Sequence, residues 1–196
     1  LVPVLMMLAS CAAGHKKVIV LSQGSANIDT DNRKIDASGQ GHEEKTVLIH
    51  DEGQVPMELN TPFGKNTVQL DGSGLFIINL KQDTIVGSLV NYTAPKTQGR
   101  TITEPELRAN IDSLEQILTG RVSAEKKTFY ILPLHAVKVT DNTDAHIVTP
   151  FHQMTSISVE SGKTPEVYRF YPIAEVRVTL LHLKDLLGEG GRAINE

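Results

Sequence analysis

Tryptophan is absent from the 196 residues, aromatic residues of all kinds make up 5%, and cysteine occurs once. With so few aromatic faces, an aromatic-lined sugar platform has no material. A single thiol permits no disulfide within the chain and no cysteine-based zinc centre. Neither charge sign is in large surplus: 19 Lys and Arg stand against 23 Asp and Glu, for a net charge of −4 and a pI near 6.0. That balance excludes a nucleic-acid binder working through bulk positive charge, and equally a disordered acidic tail. No apolar run reaches the roughly 20 residues of a membrane-spanning helix. What is there is ordinary for a globular chain, 40% hydrophobic and 21% charged. A chain of this length buries roughly 70% of its unfolded surface, as one large domain or two small ones.

The most informative stretch comes first. Leu1 to Ser10 (LVPVLMMLAS) is uncharged and mostly aliphatic and ends in small residues. It is too short to span a bilayer and has the length of a signal-peptide core, about 7–15 residues. The usual positive start is missing, so the sequence is expected to begin inside its signal peptide. Leu8-Ala9-Ser10-Cys11 follows from that run, and Cys11 is the only cysteine.

These four residues resemble the lipobox of bacterial lipoprotein precursors. The resemblance covers the first eleven positions. It implies that a lipid is joined to the Cys11 sulfur, that the chain is cut before it, and that Cys11 becomes the acylated first residue. Each buried CH₂ contributes about 0.8 kcal/mol, so one chain holds marginally and the two or three of such proteins hold stably. No acidic residue follows Cys11, and by analogy this points to the outer membrane, facing the periplasm. The plain alternative is a buried N-terminal strand carrying an inert thiol. In general layout the chain also resembles small uncharacterised lipoproteins of Gram-negative bacteria.

The body reads as strands first and helices later. Lys17 to Leu21, Glu44 to His50, Gln54 to Asn60, Asn66 to Leu70, Leu75 to Leu80 and Thr84 to Tyr92 are strand candidates. Turns are expected at Thr30-Asp31-Asn32 and at Asp71-Gly72-Ser73-Gly74. Val55, Met57 and Leu59 share one face, Pro56 points outward as on an edge strand, and Leu75 to Leu80 is apolar enough to be central. Thr93 to Arg100 is the candidate boundary. Beyond it Thr103, Pro105 and Glu106 form a capping-box signature. Leu107, Ile111, Leu114 and Leu118 then lie on one helical face that ends at Gly120. Further strands are expected at Phe129 to Thr140, Ala145 to Thr149 and Thr155 to Glu160. Pro172 opens a second helix reaching Leu187, which is expected to pack on its own sheet through Ile173, Val176, Leu180, Leu183 and Leu187.

Chemical motifs are sparse. Ser161-Gly162-Lys163-Thr164 resembles the end of a P-loop, but Ile157 stands where a Gly is required and Pro165 blocks the following helix. Ser123-Ala124-Glu125-Lys126 matches Ser-x-x-Lys in a polar connection and nothing else supports it. Asp141, Asp144, His146 and His152, with His135 nearby, carry the donor types of a divalent-cation site, and so do His42, Glu43, Glu44, His50 and Asp51. No ligand spacing matches a mechanistic motif, and solvated loop polarity explains both groups. Asp83-Thr84-Ile85 and Asp112-Ser113-Leu114 resemble O-glycosylation patterns of exported proteins. Tyr168, Arg169, Phe170 and Tyr171 form the densest aromatic patch, which alternation assigns to core packing.

The expected fold is α+β and β-rich: an N-terminal antiparallel β-sandwich-like module, then a smaller module with two amphipathic helices and a few strands. The expected divisions are 1–10 signal remnant, 11–16 spacer, 17–93 β-rich module, 101–188 α+β module and 189–196 polar tail. The expected function is a lipid-anchored, non-catalytic envelope protein that binds a partner or supports assembly. Its membrane contact runs through Cys11, with no nucleic acid and no cofactor. The alternatives are a metal-dependent envelope hydrolase using His146, His152 and Asp144, or an accessory protein binding a small ligand in an apolar pocket with converging polar groups.

Overall fold

Alternate β-branched and aliphatic residues from Val18 to Leu21 send apolar side chains to both faces, and such a strand must lie inside the fold. In the computed structural model, which describes residues 14–90, 103–121, 127–150 and 165–188, it is the middle of β1 (Lys16–Asp29). Val18 and Val20 enter one apolar cluster, and Ile19 and Leu21 enter another. β1 returns as β2 (Lys34–Ile49) through the expected turn, where Asp29 Oδ1 accepts from the Asn32 amide at 2.9 Å. The hairpin is longer than its sequence pattern predicts. The ladder passes a bulge, where Gly24 faces residues 39–41 of β2, and stays paired to Asp29.

The next strands are β3 (Val55–Thr61), β4 (Gly64–Leu70) and β5 (Gly74–Leu80). With β8 (His135–Thr140) they complete a six-stranded sheet in the order β4-β3-β2-β1-β5-β8. Val55, Met57 and Leu59 are buried as their alternation requires, and β5 is buried at every residue. The sheet is mixed: β1 runs parallel to β5, and β2 parallel to β3. It also curls until its two edges meet, where Asn66 Nδ2 donates to the Leu134 carbonyl at 2.9 Å. The N-terminal strands therefore build a nearly closed barrel, in place of the purely antiparallel sandwich-like arrangement the turn spacing suggests. The barrel interior is the cluster of Val18, Val20, Ile35, Met57, Leu59, Leu70, Phe76 and Ile78.

A second sheet has the order β7-β6-β10-β9, from β6 (Ile85–Leu89), β7 (Thr128–Ile131), β9 (His146–Val148) and β10 (Val167–Pro172). Both sheets draw strands from before and after the 93–100 stretch, which itself lies outside the described residues. One face of the second sheet packs on the barrel: Ile85, Ile131, Tyr168 and Phe170 join Ile19, Leu21, Leu75 and Ile77. Asn79 ties the two sheets, its buried Nδ2 donating to the carbonyls of Asp83 (2.9 Å) and Ile131 (3.0 Å). The other face carries α1 (Glu104–Leu118) and α2 (Ile173–Leu186). Thr103 N donates to Glu106 Oε2 at 3.0 Å, the back half of the expected capping box. Val86, Ile173 and Val176 are buried here, with Leu114, Ile117, Leu118, Tyr130 and Tyr171 against them. The fold is thus α+β and β-rich.

Lys16, placed in the spacer by sequence, is fully buried and opens β1, its ammonium donating to the Asp51 carbonyl. Cys11, the Ser123–Lys126 and Ser161–Thr164 motifs, the Thr155–Glu160 strand and the 189–196 tail lie outside the described residues. No described helix is long and apolar enough to cross a membrane.

Candidate functional site

Two helices laid on a sheet do not fill the space between them everywhere. A cavity of about 310 Å³ opens there, lined by Val86 and Ser88 of β6, Ser113, Leu114 and Ile117 of α1, Tyr171 of β10, and Val176 and Thr179 of α2, among others. That is the lower end of the size range for small-molecule sites, roughly 300–1,000 Å³. Its surface is more apolar than polar, with Val86, Leu114, Ile117 and Val176 against the hydroxyls of Ser88, Ser113, Tyr171 and Thr179. Glu175 adds one exposed carboxylate.

Arg169 stands directly across from Ser88 in the β6–β10 ladder, so the two side chains share the helix-facing side. Its guanidinium lies over the Tyr171 ring, 4.9 Å from the centroid. The Arg169 Nε is buried and has no hydrogen-bond partner among the described residues. A buried donor left unmade costs about 1–3 kcal/mol, more for a charged group. Alternation separates the aromatic patch: Tyr168 and Phe170 enter the core, while Arg169 and Tyr171 face the helices. Ser113, picked out by sequence only as part of an Asp-Ser-apolar triplet, lines the cavity.

Two polar clusters lie elsewhere. Lys81 continues the alternation of β5 and is buried where the barrel meets the second sheet. Its Nζ is 3.3 Å from His42 Nδ1, and Glu44 acts on it electrostatically. Thr149 donates to Glu44 Oε2 at 2.5 Å. Desolvation lowers the Lys81 ammonium to about 8, against a smaller opposing pull from Glu44. The folded amine then binds its proton less tightly than the unfolded one, so stability rises with pH between about 8 and 10.5. The rise is worth about 1–2 kcal/mol after solvent screening. Urea unfolding at the two ends of that window should show it in the native chain, with Lys81→Met flattening the difference.

The second cluster is centred on Glu166, just before β10. It accepts from Lys127 Nζ (2.9 Å), Thr140 Oγ1 (3.1 Å), Asn142 Nδ2 (3.1 Å) and the Tyr168 hydroxyl (2.5 Å). Desolvation alone would raise its pKa; the four hydrogen bonds more than reverse this and hold it at about 2. Burial, then the Glu166 contact, pushes Tyr168 up. Every oxygen of this carboxylate is engaged, which suits a clamp between β10 and the β8–β9 loop.

The sequence-expected metal donors are spread out. Asp144 and His146 are exposed, the Asp144 amide being taken up by Asn142 Oδ1 at 3.0 Å. Asp141 pairs with Lys138 at 2.6 Å, and His135 Nδ1 sits 2.8 Å from the Pro133 carbonyl. His152 lies outside the described residues. In the other group, His42 and Glu44 converge at Lys81, Glu43 pairs with Lys45 (3.2 Å), Asp51 pairs with Arg33 (3.5 Å), and His50 faces His15. Among the described residues no three His, Cys, Asp or Glu side chains gather as a cation site. Sequence reasoning missed Lys81, Glu166 and the role of Arg169. Only the continued alternation past Leu80 and through Tyr168-Arg169-Phe170 carried a signal for any of them. No family model, curated protein or solved structure matches the chain.

Proposed function

We propose that this is a lipid-anchored cell-envelope protein, held in the outer membrane through Cys11 and facing the periplasm, with a non-catalytic binding role. The cavity between α1, α2 and the second sheet carries the reading. It joins an aliphatic wall to a few polar groups, the usual make-up of a small-ligand site. The ligand class is an apolar molecule with an anionic head. Exposed Glu175 needs no partner, whereas Arg169, which does not line the cavity but lies across from Ser88 and over Tyr171, which do, has a buried Nε that gains most from one.

Two naphthalene probes of similar body test this, anionic anilinonaphthalene sulfonate and neutral N-phenylnaphthylamine. Both should bind, and Ser113→Trp, which fills the cavity, should weaken both at least about tenfold. Arg169→Gln should weaken the anionic probe about tenfold and the neutral one less than about threefold. Equal binding to the native chain and Ser113→Trp would remove the site. The anchor is tested separately by intact mass of natively expressed protein, which should show a diacyl or triacyl Cys11 as first residue.

A further inference from the structure

β1, β3 and β5 start, and β2, β4 and β8 end, at one end of the barrel. Lys16 pairs there with both Ile49 and Gly74, Val55 with Leu70, and Leu75 with Thr140. The chain enters the fold at this same end and is held as it enters. Gly14 N donates to Glu52 Oε1 at 2.5 Å, and the His15 carbonyl accepts from Gly74 N at 3.2 Å. The buried Lys16 ammonium donates to the Asp51 carbonyl. On the other side of Gly14 a Cβ would lie 3.0 Å from Ser73 Cβ. The chain therefore comes in between the β2–β3 loop and the β4–β5 turn, through the end of the barrel and not along its flank.

Three residue steps separate Gly14 from Cys11, about 11 Å at full stretch. β5 alone rises about 20 Å from Gly74 to Leu80. We infer that this end of the barrel rests on the lipid headgroups, with the β5–β6 turn pointing away from the membrane. The inference stands on the reading of Cys11 as the acylated residue. Inverted, the body would need a tether as long as β5, and the one it has is about half that. The charge of this end fits zwitterionic, ammonium-bearing headgroups better than anionic ones. Its cations are engaged: Arg33 by Asp51, Lys138 by Asp141, and Lys17 by the Thr143 carbonyl at 3.1 Å. Asp71 and Asp144 are exposed and have no ion pair among the described residues.

Contact quenching in vesicles tests the pose. Acylation blocks the Cys11 thiol, so a cysteine added elsewhere is the one that takes a fluorescent label. Ser73→Cys, Asp144→Cys and Gln82→Cys, all at exposed positions outside the strands, are each expressed natively and labelled. They are then placed in phosphatidylcholine–phosphatidylethanolamine vesicles in which a small share of the lipid carries a nitroxide on its headgroup. The labels at Ser73, beside the tether, and at Asp144, across the same end, should lose at least about half their emission. The label at Gln82, about 20 Å up the barrel, should lose less than about a tenth. Quenching at Ser73 reports that the anchor is in place. Given that, quenching at Gln82 equal to or above that at Asp144 would overturn the inference and leave the anchor standing. No quenching at any of the three would overturn the anchor and the pose together.

Discussion

Gly24→Ala will destabilise the fold by about 4 kcal/mol, lowering the melting temperature by about 12 °C. Gly24 sits at φ +78° in the β1 bulge, and a Cβ there would lie 2.2 Å from the Ser38 carbonyl oxygen and 2.7 Å from the Gly39 carbonyl carbon. The torsion alone costs roughly 1–2 kcal/mol for a residue with a side chain. The contact adds more, because the atoms it meets are backbone of the paired strand and cannot swing aside as a side chain would. Relief would require β1 and β2 to part beside the point where the Ser22 hydroxyl reaches across to the Glu43 carbonyl at 3.3 Å. Gly41→Ala is the control. Gly41 has φ +98° with no atom within 4 Å of the added carbon, so it should lose only the torsional part. Thermal and urea unfolding of the two variants separate strain from collision. Equal losses would show that the bulge tolerates a side chain.

The same glycine marks where the sequence pattern stopped being readable. Lys17 to Leu21 announces a strand by its β-branched run, and Ser-Gln-Gly reads as its end because glycine usually punctuates. Here Gly24, Gly39 and Gly41, all at positive φ, let the ladder absorb two extra residues on β2 and continue, an outcome decided by β2 across the hairpin. The buried alternation of Val55, Met57 and Leu59, the wholly apolar β5 and the Thr103–Glu106 helix start were legible, since local chemistry alone determines them. Closure of the barrel was not. It rests on Asn66 reaching Leu134, 68 residues away, which no local pattern encodes. The candidate site divides likewise. Alternation places Arg169 and Tyr171 on one face, but only the packing of α1 and α2 leaves a cavity against Tyr171. Lys81 and Glu166 look like ordinary surface charges until partners from distant strands meet them.

Glu166→Gln will cost about 2 kcal/mol at neutral pH and almost nothing near pH 2. The folded carboxyl sits at about 2, below its ordinary 4.5. As pH falls the unfolded chain takes up this proton first. The stabilisation is therefore complete above about 4.5 and is lost as pH drops through about 2. Solvent reaches part of the group, its side chain being 21% exposed, so less than the full shift survives as stability. Urea unfolding at several pH values, native chain against variant, reads the difference directly, and a gap that stays constant down to pH 2 would refute the assignment. The four donors of Glu166 come from Lys127, the end of β8, the β8–β9 loop and β10 itself, so the clamp fixes the start of the strand that carries Arg169 and Tyr171. Its loss makes that strand easier to unfold without moving it while folded. Probe affinity should therefore change less than about threefold in Glu166→Gln while stability falls. Arg169→Gln should do the reverse, since its Nε has no hydrogen-bond partner among the described residues to lose.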